Sequence, residues 1–461
     1  MKILTALIFL VPFLYGISQK GDSAFIRSIY DEALLRGEAH ENLRSLCKDI
    51  GARITGSASA EMAIFWSQNL FEKYEFDKVY LQKIRVPHWK RGTKESAWFV
   101  DKKGKIKKLN VLALGGSVPS NGLISADIIE FKTLEELKKS SPKKVKGKIV
   151  FLNEKMNAKL INTFKAYGQC YPIRRNGASE ASKLGAKAII IRSLALPVDE
   201  HPHTGSLQYQ EGIKKIPAAA ISTMDADFLS KTLNNKAKRG KKNAQTLNLE
   251  LNCRLFADKD SYNVIAEMKG KSKPEEIITF GGHLDSWDTG EGAHDDGAGV
   301  IHCLEALRIL KELNYKPIHT LRLVFFMNEE NGNRGGEDYA SIAFANGEKQ
   351  IAAVESDRGG FAPRGFSCDG TDLQINLLKQ FESLFAPYAL HIFEKGYGGV
   401  DIGPLKKHYK NIPLFGFVPD SQRYFDFHHS PNDVFENVNK RELELGAASI
   451  SALLYLLDLN L

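Results

Sequence analysis

The sequence predicts an α/β fold in which helices flank a mixed, mostly parallel sheet. From residue 261 to the C-terminus, short apolar runs of strand length alternate with segments of helical periodicity. This alternation is typical of parallel strands joined by helices. Three of the runs, 276–280, 321–327 and 351–354, end directly in polar stretches that contain His, Asp or Glu. Ligands of such sheets collect beyond the carboxyl ends of the strands, so these ends are where we expect the functional site.

Length and composition restrict the class of protein. The 461 residues are enough for two domains with a large core. The content of 43% hydrophobic and 26% charged residues is ordinary for a globular protein. The formal net charge is +8, but the basic residues are spread out, and the densest basic run, 236–242, has no aromatic residues within it. We therefore expect no nucleic-acid partner.

The N-terminus has the pattern of a secretory signal peptide. Lys2 precedes an apolar stretch from Ile3 to Tyr15, and Gly16 and Ser18 are small residues at the −3 and −1 positions of a cleavage site. The apolar stretch is too short to span a bilayer, so we expect no stable membrane anchor. The sequence therefore predicts a secreted or periplasmic protein whose signal peptide covers residues 1–18.

Residues 19–119 are predicted to form the first part of the main domain. Helical periodicity covers residues 25–50 and 60–74, and the glycine-containing stretch 51–59 separates these two segments. A strand with alternating polar and apolar residues follows at 79–86.

The character of the sequence changes near residue 120. From there to residue 252, short strand-like runs are separated by polar or glycine-containing links, with helices predicted only at 179–184 and 224–233. We therefore predict an inserted subdomain at 120–252 and the catalytic part of the main domain at 253–461. Predicted elements of the catalytic part, besides the three strands above, are a strand at 262–268, a helix through 301–310, helices at 335–345, 375–385 and 441–457, and strands at 391–393 and 413–417.

Polar side chains of one chemical kind follow the predicted strands. His283 and Asp285 come directly after the strand at 276–280, and Asp295 lies in the loop before the next helix. The other such residues near strand ends are Glu329, Glu330, Asp357, His428 and His429. Imidazole and carboxylate groups without thiolates suit zinc or a similar divalent ion in a hydrolytic site.

The order of these motifs resembles that of the co-catalytic zinc exopeptidases of the aminopeptidase-like fold. The motifs are His283-x-Asp285, Asp295-Asp296-Gly, Glu329-Glu330, Glu355-Ser-Asp357 and His428-His429-Ser430. The resemblance is strongest to the carboxypeptidase Q branch of that family and its bacterial relatives, and it covers nearly the whole chain from about residue 25. In that branch a protease-associated subdomain precedes the first metal motif, and the stretches 146–150 and 183–188 resemble it.

The resemblance implies two Zn²⁺ ions per chain. His283 and Asp357 would hold one ion, Glu330 and His429 would hold the other, and Asp295 would bridge them. Each ion would have three protein ligands, which leaves room for a shared water molecule. Two ions about 3.5–4 Å apart can polarise the scissile carbonyl and activate that water together.

Two further residues are predicted to have catalytic roles. Asp285 lies two residues from His283, so on an extended backbone both side chains point to the same side. We therefore expect the Asp285 carboxylate to accept the second imidazole N–H. Glu329 and Glu330 are adjacent and face different ways if extended, and the resemblance assigns the role of general base to Glu329.

Substrate contacts are expected beside the metals. By analogy with relatives, the glycine-rich loop at residues 397–401 shapes the substrate pocket, although the same stretch could form only a turn. The predicted contacts are Gly398, Gly399, Asp401 and His428. Arg358 follows Asp357 at a position where relatives often have a small residue, so its charge would influence substrate choice.

The sequence therefore predicts a secreted dinuclear zinc exopeptidase that hydrolyses dipeptides or short peptides. The relatives also imply a homodimer. One alternative is a zinc aminopeptidase that acts on longer peptides through a more open cleft. Another is a non-catalytic binding or scaffold protein, because some relatives of this fold have lost catalysis; the presence of every predicted ligand and of the base counts against it.

Overall fold

The structure of the protein, a computed structural model, describes residues 10–100, 106–237 and 245–461. Within these ranges the strands form two eight-stranded sheets. The strands are β1 (Lys78–Lys90), β2 (Glu95–Val100), β3 (Ile106–Leu109), β4 (Val111–Ala113), β5 (Ile124–Phe131), β6 (Ile149–Leu152), β7 (Ala188–Arg192), β8 (Ala218–Ile221), β9 (Thr246–Leu251), β10 (Arg254–Met268), β11 (Lys273–His283), β12 (His319–Phe326), β13 (Lys349–Glu355), β14 (Pro363–Asp369), β15 (Ile392–Lys395) and β16 (Leu414–Pro419).

The helices of the same residues lie between and after these strands. They are α1 (Leu10–Arg36), α2 (Ala39–Ser45), α3 (Ala58–Lys73), α4 (Leu134–Lys138), α5 (Pro142–Val145), α6 (Thr163–Lys183), α7 (Thr223–Ala237), α8 (Ala298–Glu312), α9 (Arg334–Ala345), α10 (Asp372–Gln380), α11 (Glu382–Phe385), α12 (Tyr424–Phe427) and α13 (Lys440–Asn460). Short π or 3₁₀ turns cover Leu46–Ile50, Ala293–Gly297, Ala386–Tyr388, Gly403–Lys407 and Phe435–Asn437.

The first sheet, which we call the main sheet, has the strand order β1-β10-β12-β11-β13-β16-β14-β15. Its centre is parallel, because β11 pairs with both β12 and β13 in parallel and β13 pairs with β16 in the same way. Antiparallel pairs join β1 to β10, β10 to β12, and β14 to β16. The predicted fold class, a mixed sheet flanked by helices, is therefore confirmed.

Helices cover both faces of the main sheet. Successive residues of a strand point to opposite faces, and β12 shows this clearly. Leu323 and Phe325 belong to the hydrophobic core that also contains the buried residues of α1, α8 and α13. Val324 and Phe326 belong to a smaller core on the other face, which contains Tyr339 of α9. The metal-ligand candidates described below lie at the end of this three-layer arrangement.

The second sheet has the order β3-β2-β9-β5-β6-β7-β8-β4. It packs with helices α4, α6 and α7, and we call this sheet with these helices the second domain. Three of its strands, β2, β3 and β4, precede residue 120, where the sequence predicts the start of the insert. β2 pairs with β9, which lies far along the chain, so no local pattern marks β2 as part of this sheet. The division into a main domain and an insert at residues 120–252 stays a prediction.

Helix α6 is longer than the sequence predicts. It spans Thr163–Lys183, whereas helical periodicity predicts a helix only at 179–184. Gly168 and Pro172 lie within it, and both residues normally count against a helix. Burial of one side of α6 on the second sheet, through residues such as Ile173, outweighs that local preference. The predicted helix at 375–385 is also divided, into α10 and α11.

The predicted signal peptide falls partly outside the described residues. Residues 1–9 are not described, and helix α1 begins at Leu10. The buried residues of α1 that contact the main core, among those whose side chains are described, start at Ile26. No helix in the described ranges is long and apolar enough to cross a membrane.

Candidate metal centre and cleft

All five predicted metal ligands lie at one edge of the main sheet. The parallel strands β11, β12 and β13 end here and place three of them. The ligand candidates are His283 at the end of β11, Asp295 before α8, Glu330 after β12, Asp357 after β13 and His429 after α12. Four of the side chains are buried, and Asp357 is partly buried.

Asp295 lies at the centre of this cluster. Its Oδ1 atom is 3.3 Å from Nε2 of His283, and its Oδ2 atom is 3.1 Å from Nε2 of His429. Asp357 Oδ1 lies 3.7 Å from Nε2 of His283, and Glu330 Oε2 lies 3.1 Å from Nε2 of His429. The cluster thus has two halves that share Asp295, and the assignment of each half to one metal ion stays a prediction.

The chemistry of the cluster fits zinc. Asp295 Oδ2 and Glu330 Oε1 are buried carboxylate oxygens without a hydrogen-bond donor in suitable geometry. A buried carboxylate oxygen without a donor is costly unless a cation binds it. His283, Asp295 and Glu330 place ligand atoms within 4.8 Å of one another. Imidazole and carboxylate are the ligands that zinc takes in catalytic sites.

Crowded negative charge dominates the electrostatics of the cluster. Burial raises the pKa of Glu330 well above its usual range, and the neighbouring Asp295 carboxylate adds to this shift. Burial opposes ionisation of Asp295 as well, but the nearby imidazoles of His283 and His429 hold the pKa of Asp295 well below its usual range. Burial lowers the pKa of His283, but the Asp295 and Asp357 carboxylates outweigh this and raise it well above its usual range. The site therefore favours positive charge at its centre.

Glu329 and Glu330 have different surroundings although they are adjacent. The Glu330 side chain is 2% exposed and packs against His429. The Glu329 side chain is 20% exposed, and its Oε2 atom lies 4.0 Å from Nε2 of His283. Burial raises the pKa of Glu329 to about 8, with His283 acting in the opposite direction. One glutamate is thus packed into the cluster, while the other faces the cleft.

The prediction that the Asp285 carboxylate accepts the second imidazole N–H of His283 is wrong in this structure. Asp285 Oδ1 is 3.9 Å from Nδ1 of His283, whereas the backbone carbonyl oxygen of Asp285 is 2.9 Å from that atom. β11 ends at His283, so the two-residue alternation of a strand no longer holds at Asp285. Its carboxylate instead accepts hydrogen bonds from the backbone N–H groups of Asn328 (2.7 Å) and Glu329 (3.1 Å) and from the Thr55 hydroxyl (2.8 Å).

We expect Asp285→Ala to lower the free energy of unfolding by about 2–4 kcal/mol, since a hydrogen bond to a charged group contributes about 1.5–3 kcal/mol. Turnover should fall as well, because the loop that carries Glu329 loses its fixed position. Urea denaturation and steady-state kinetics would measure the two effects. Thr55→Val, which removes only one donor, is the control, with a smaller expected loss of about 1.5 kcal/mol. Equal stability of Asp285→Ala and the wild type would show that other contacts hold the loop.

Two buried carboxylates that the sequence interpretation did not assign hold the backbone of the cluster. Asp296 accepts a hydrogen bond from the backbone N–H of His283 at 3.1 Å. Asp433 accepts hydrogen bonds from the backbone N–H groups of His294 at 2.7 Å and Asp295 at 3.1 Å. Because these contacts are made to backbone groups, no spacing of side chains in the sequence indicates them.

Gly398 and Gly399 are buried and do not line the cleft, contrary to the expectation of substrate contacts. A Cβ atom on Gly399 would lie 2.1 Å from Cδ of Glu355. A Cβ atom on Gly398 would lie 2.4 Å from Cβ of Leu414. Both positions therefore need glycine because the loop packs closely on β13 and β16.

Glu355 on β13 holds the rest of the glycine-rich loop in place through its carboxylate. Its carboxylate accepts hydrogen bonds from the backbone N–H groups of Val400 at 2.7 Å and Ile402 at 2.9 Å. Asp401 is 1% exposed and is also absent from the cleft lining. Tyr397 and Val400 are the residues of this loop that line the cleft.

A cleft of about 1280 Å³ opens over the cluster. Asp295, Glu329 and Asp357 belong to its lining, and the second domain contributes further walls through α6. His428 lines the cleft as predicted. Its Nε2 atom is 3.7 Å from Oδ2 of Asp295, and its ring stacks on that of His429 with centroids 3.5 Å apart.

The second domain holds the segment that carries His428 and His429. The backbone N–H of Thr204 donates to the carbonyl oxygen of His429 at 2.9 Å. Nδ1 of His203 lies 2.6 Å from the carbonyl oxygen of His428. Nη1 of Arg174, on α6, lies 3.1 Å from Nδ1 of His429. The second domain therefore contacts the metal cluster directly.

Comparisons with known proteins agree with this arrangement. The profile of peptidase family M28 matches residues 263–454. Carboxypeptidase Q of Bos taurus is 34% identical over 423 residues, which cover 91% of this chain and 85% of that protein. Carboxypeptidase Q of Homo sapiens is 32% identical over 423 residues, with the same two coverages, 91% and 85%.

Solved structures show the same fold over nearly the whole chain. A peptidase M28 precursor from Shewanella amazonensis SB2B is 33% identical, with a TM-score of 0.88 over 95% of this chain and 97% of that one. A zinc aminopeptidase from Bacillus subtilis is 20% identical, with a TM-score of 0.64 over 91% of this chain and 94% of that one, which shows a shared fold alone. The chain therefore belongs to peptidase family M28, and the enzyme class that its motifs predict, a zinc-dependent metallo-exopeptidase, is confirmed.

Proposed function

We propose that this peptidase binds two zinc ions and hydrolyses dipeptides or other short peptides. The position of Asp295 is the observation that carries the proposal. Its two carboxylate oxygens face two different imidazoles, those of His283 at 3.3 Å and His429 at 3.1 Å. A carboxylate in this position is suited to bridge two ions in a co-catalytic site.

The other ligands follow from the two halves of the cluster. His283 and Asp357 would hold one ion together with Asp295, and Glu330 and His429 would hold the other. When bound, zinc supplies Lewis-acid polarisation of the scissile carbonyl and lowers the pKa of water. Three protein ligands for each ion are typical of catalytic zinc sites, which keep a position open.

The surroundings of Glu329 support a role as the general base. Its side chain faces the cleft beside His283 and is not packed between the histidines, as Glu330 is. A base in this position would take a proton from the attacking water and return it to the nitrogen of the leaving amine. Asp285 would support this role indirectly, because its carboxylate accepts a hydrogen bond from the backbone N–H of Glu329.

The cleft and the relatives support the substrate class. The cleft is bounded by both domains and has a volume of about 1280 Å³, which is enough for a short peptide. The similar proteins named carboxypeptidase Q support cleavage at a chain end. We also propose that the protein is exported and forms a homodimer.

A peptide panel tests this proposal. The zinc-loaded enzyme would be incubated with dipeptides that have free ends, an N-terminal block or a C-terminal block, and with the same sequences extended to longer peptides. We expect hydrolysis of the free dipeptides and a fall in kcat/KM with increasing length. The Glu329→Gln variant is the control for contaminating peptidases. A preference for long peptides would favour the aminopeptidase alternative, and no hydrolysis of any peptide would contradict the proposal.

A further inference from the structure

Beyond the ligand cluster, most of the charged side chains in the walls of the cleft are basic. The lining outside the five ligand candidates includes six lysines and arginines but only three acidic residues, Glu329, Glu394 and Asp420. Asp420 is already paired with Arg364, at 3.0 Å. The basic groups therefore exceed the available carboxylates, and the cleft is suited to bind a negatively charged group of a ligand.

Arg358 is the basic residue of this lining that adjoins a metal-ligand candidate in the chain. It follows Asp357, and its side chain extends between two walls of the cleft. Its Nη2 atom donates to the backbone carbonyl oxygen of Tyr397 at 3.1 Å. Its Cζ atom lies 5.8 Å from the ring centroid of Phe164, which belongs to the second domain.

The guanidinium of Arg358 has unused hydrogen-bonding capacity. A guanidinium carries five N–H donors in a planar fork, and the bond to Tyr397 uses one of them. Within the described ranges, no carboxylate oxygen lies within 4.0 Å of this group, whereas the neighbouring Arg364 has Asp420. Asp357 and Glu355 attract the guanidinium electrostatically, but neither carboxylate is bonded to it, so its remaining N–H donors are available to a ligand carboxylate.

Among peptides, the anionic group shared by every substrate with a free carboxyl end is its C-terminal carboxylate. In a dipeptide only the scissile nitrogen and one Cα atom separate that carboxylate from the carbonyl carbon that is attacked. The carboxylate must therefore bind close to the metal cluster. Arg358 meets this requirement, because consecutive Cα atoms are about 3.8 Å apart and its neighbour Asp357 belongs to the cluster.

We propose that Arg358 binds the C-terminal carboxylate of the peptide substrate and thereby selects substrates with a free carboxyl end. The inference rests on the proposed peptidase function and adds the end of the peptide that is recognised. A guanidinium and a carboxylate form two parallel charge-assisted hydrogen bonds, which an amidated C-terminus cannot reproduce.

The test compares a dipeptide with a free carboxylate and the same dipeptide as its C-terminal amide. We expect the wild-type enzyme to prefer the acid by roughly 10- to 100-fold in kcat/KM, the usual effect of hydrogen bonds to a charged group. In Arg358→Met this ratio should fall towards one, mainly through KM for the acid. Arg358→Lys should retain part of the preference, because it keeps the charge but loses the planar fork. Arg364→Met is the matched control and should keep the wild-type ratio.

Zinc content and thermal unfolding of each variant would show that the site and the fold are intact. An unchanged ratio in Arg358→Met, or a wild-type enzyme that hydrolyses acid and amide equally well, would overturn the inference. A ratio that falls in Arg174→Met but not in Arg358→Met would also overturn it, because the carboxylate would then bind elsewhere. If the wild-type enzyme hydrolysed neither peptide, the proposed function itself would fail, which is a different result.

Discussion

Replacement of Glu329 by glutamine is expected to lower turnover by roughly 10²–10⁴-fold, the usual contribution of a positioned general base. Glutamine keeps the size and most of the hydrogen-bonding capacity of glutamate, but it cannot take a proton from water. Zinc content should stay unchanged, because Glu329 faces the cleft and is not packed against His429. Turnover of a dipeptide and elemental analysis of the dialysed protein would measure the two properties.

Glu330→Gln is the matched control, since it is the same chemical change one residue further along. Glu330 Oε2 lies 3.1 Å from Nε2 of His429, so this variant should lose zinc and activity together. If Glu329→Gln lost metal while Glu330→Gln kept it and lost only turnover, the two roles would be reversed. Full activity of both variants would show that neither glutamate takes part in the reaction.

Two equivalents of zinc per chain are expected in the active enzyme, and chelation should abolish activity until zinc is restored. His283→Ala and His429→Ala should each remove a different ion, because these residues lie on opposite sides of Asp295. Asp295→Asn should weaken binding of both ions, since its two oxygens serve both halves of the cluster. Elemental analysis after dialysis measures the stoichiometry.

A content near zero or one zinc ion per chain in fully active, zinc-supplied protein would contradict the dinuclear site. The mutant series adds a second criterion. If His283→Ala and His429→Ala lost the same single ion, the division of the cluster around Asp295 would be wrong even with two ions in the wild type. His391→Ala, which changes an exposed histidine of the cleft lining, is a suitable control and should keep both ions.

The fold class and the position of the site could be predicted because local patterns determine them. The apolar runs of β11, β12 and β13 have strand length, and each is followed by its polar motif. Parallel strands bring such ends together whatever the details of packing. For this reason His283, Glu330 and Asp357 could be placed near one another from the sequence alone.

Other features depend on contacts that leave no local pattern. The role of Asp285 could not be predicted, because the strand ends at His283 and the backbone then turns its carboxylate towards Asn328 and Glu329. Asp433 accepts hydrogen bonds from backbone N–H groups more than a hundred residues away in the chain.

The glycine-rich loop is another such case. From the sequence its glycines are expected to contact substrate, yet Gly399 is needed because the Glu355 carboxylate packs against its Cα atom. The extent of the second domain also depends on distant pairing, since β2 joins its sheet through β9.

The contacts of the second domain with the backbone of His428 and His429 restrict how peptides can enter the cleft. Thr204 and His203 bind the carbonyl oxygens of these two histidines, so the segment cannot stay in place if the second domain rotates away. A rigid-body rotation that opened the cleft would therefore displace His429, a proposed zinc ligand, and would lower the affinity for the metal. Substrate access without such a cost requires movement of smaller parts at the rim, such as the exposed side chain of Tyr397, while the two domains keep their relative orientation.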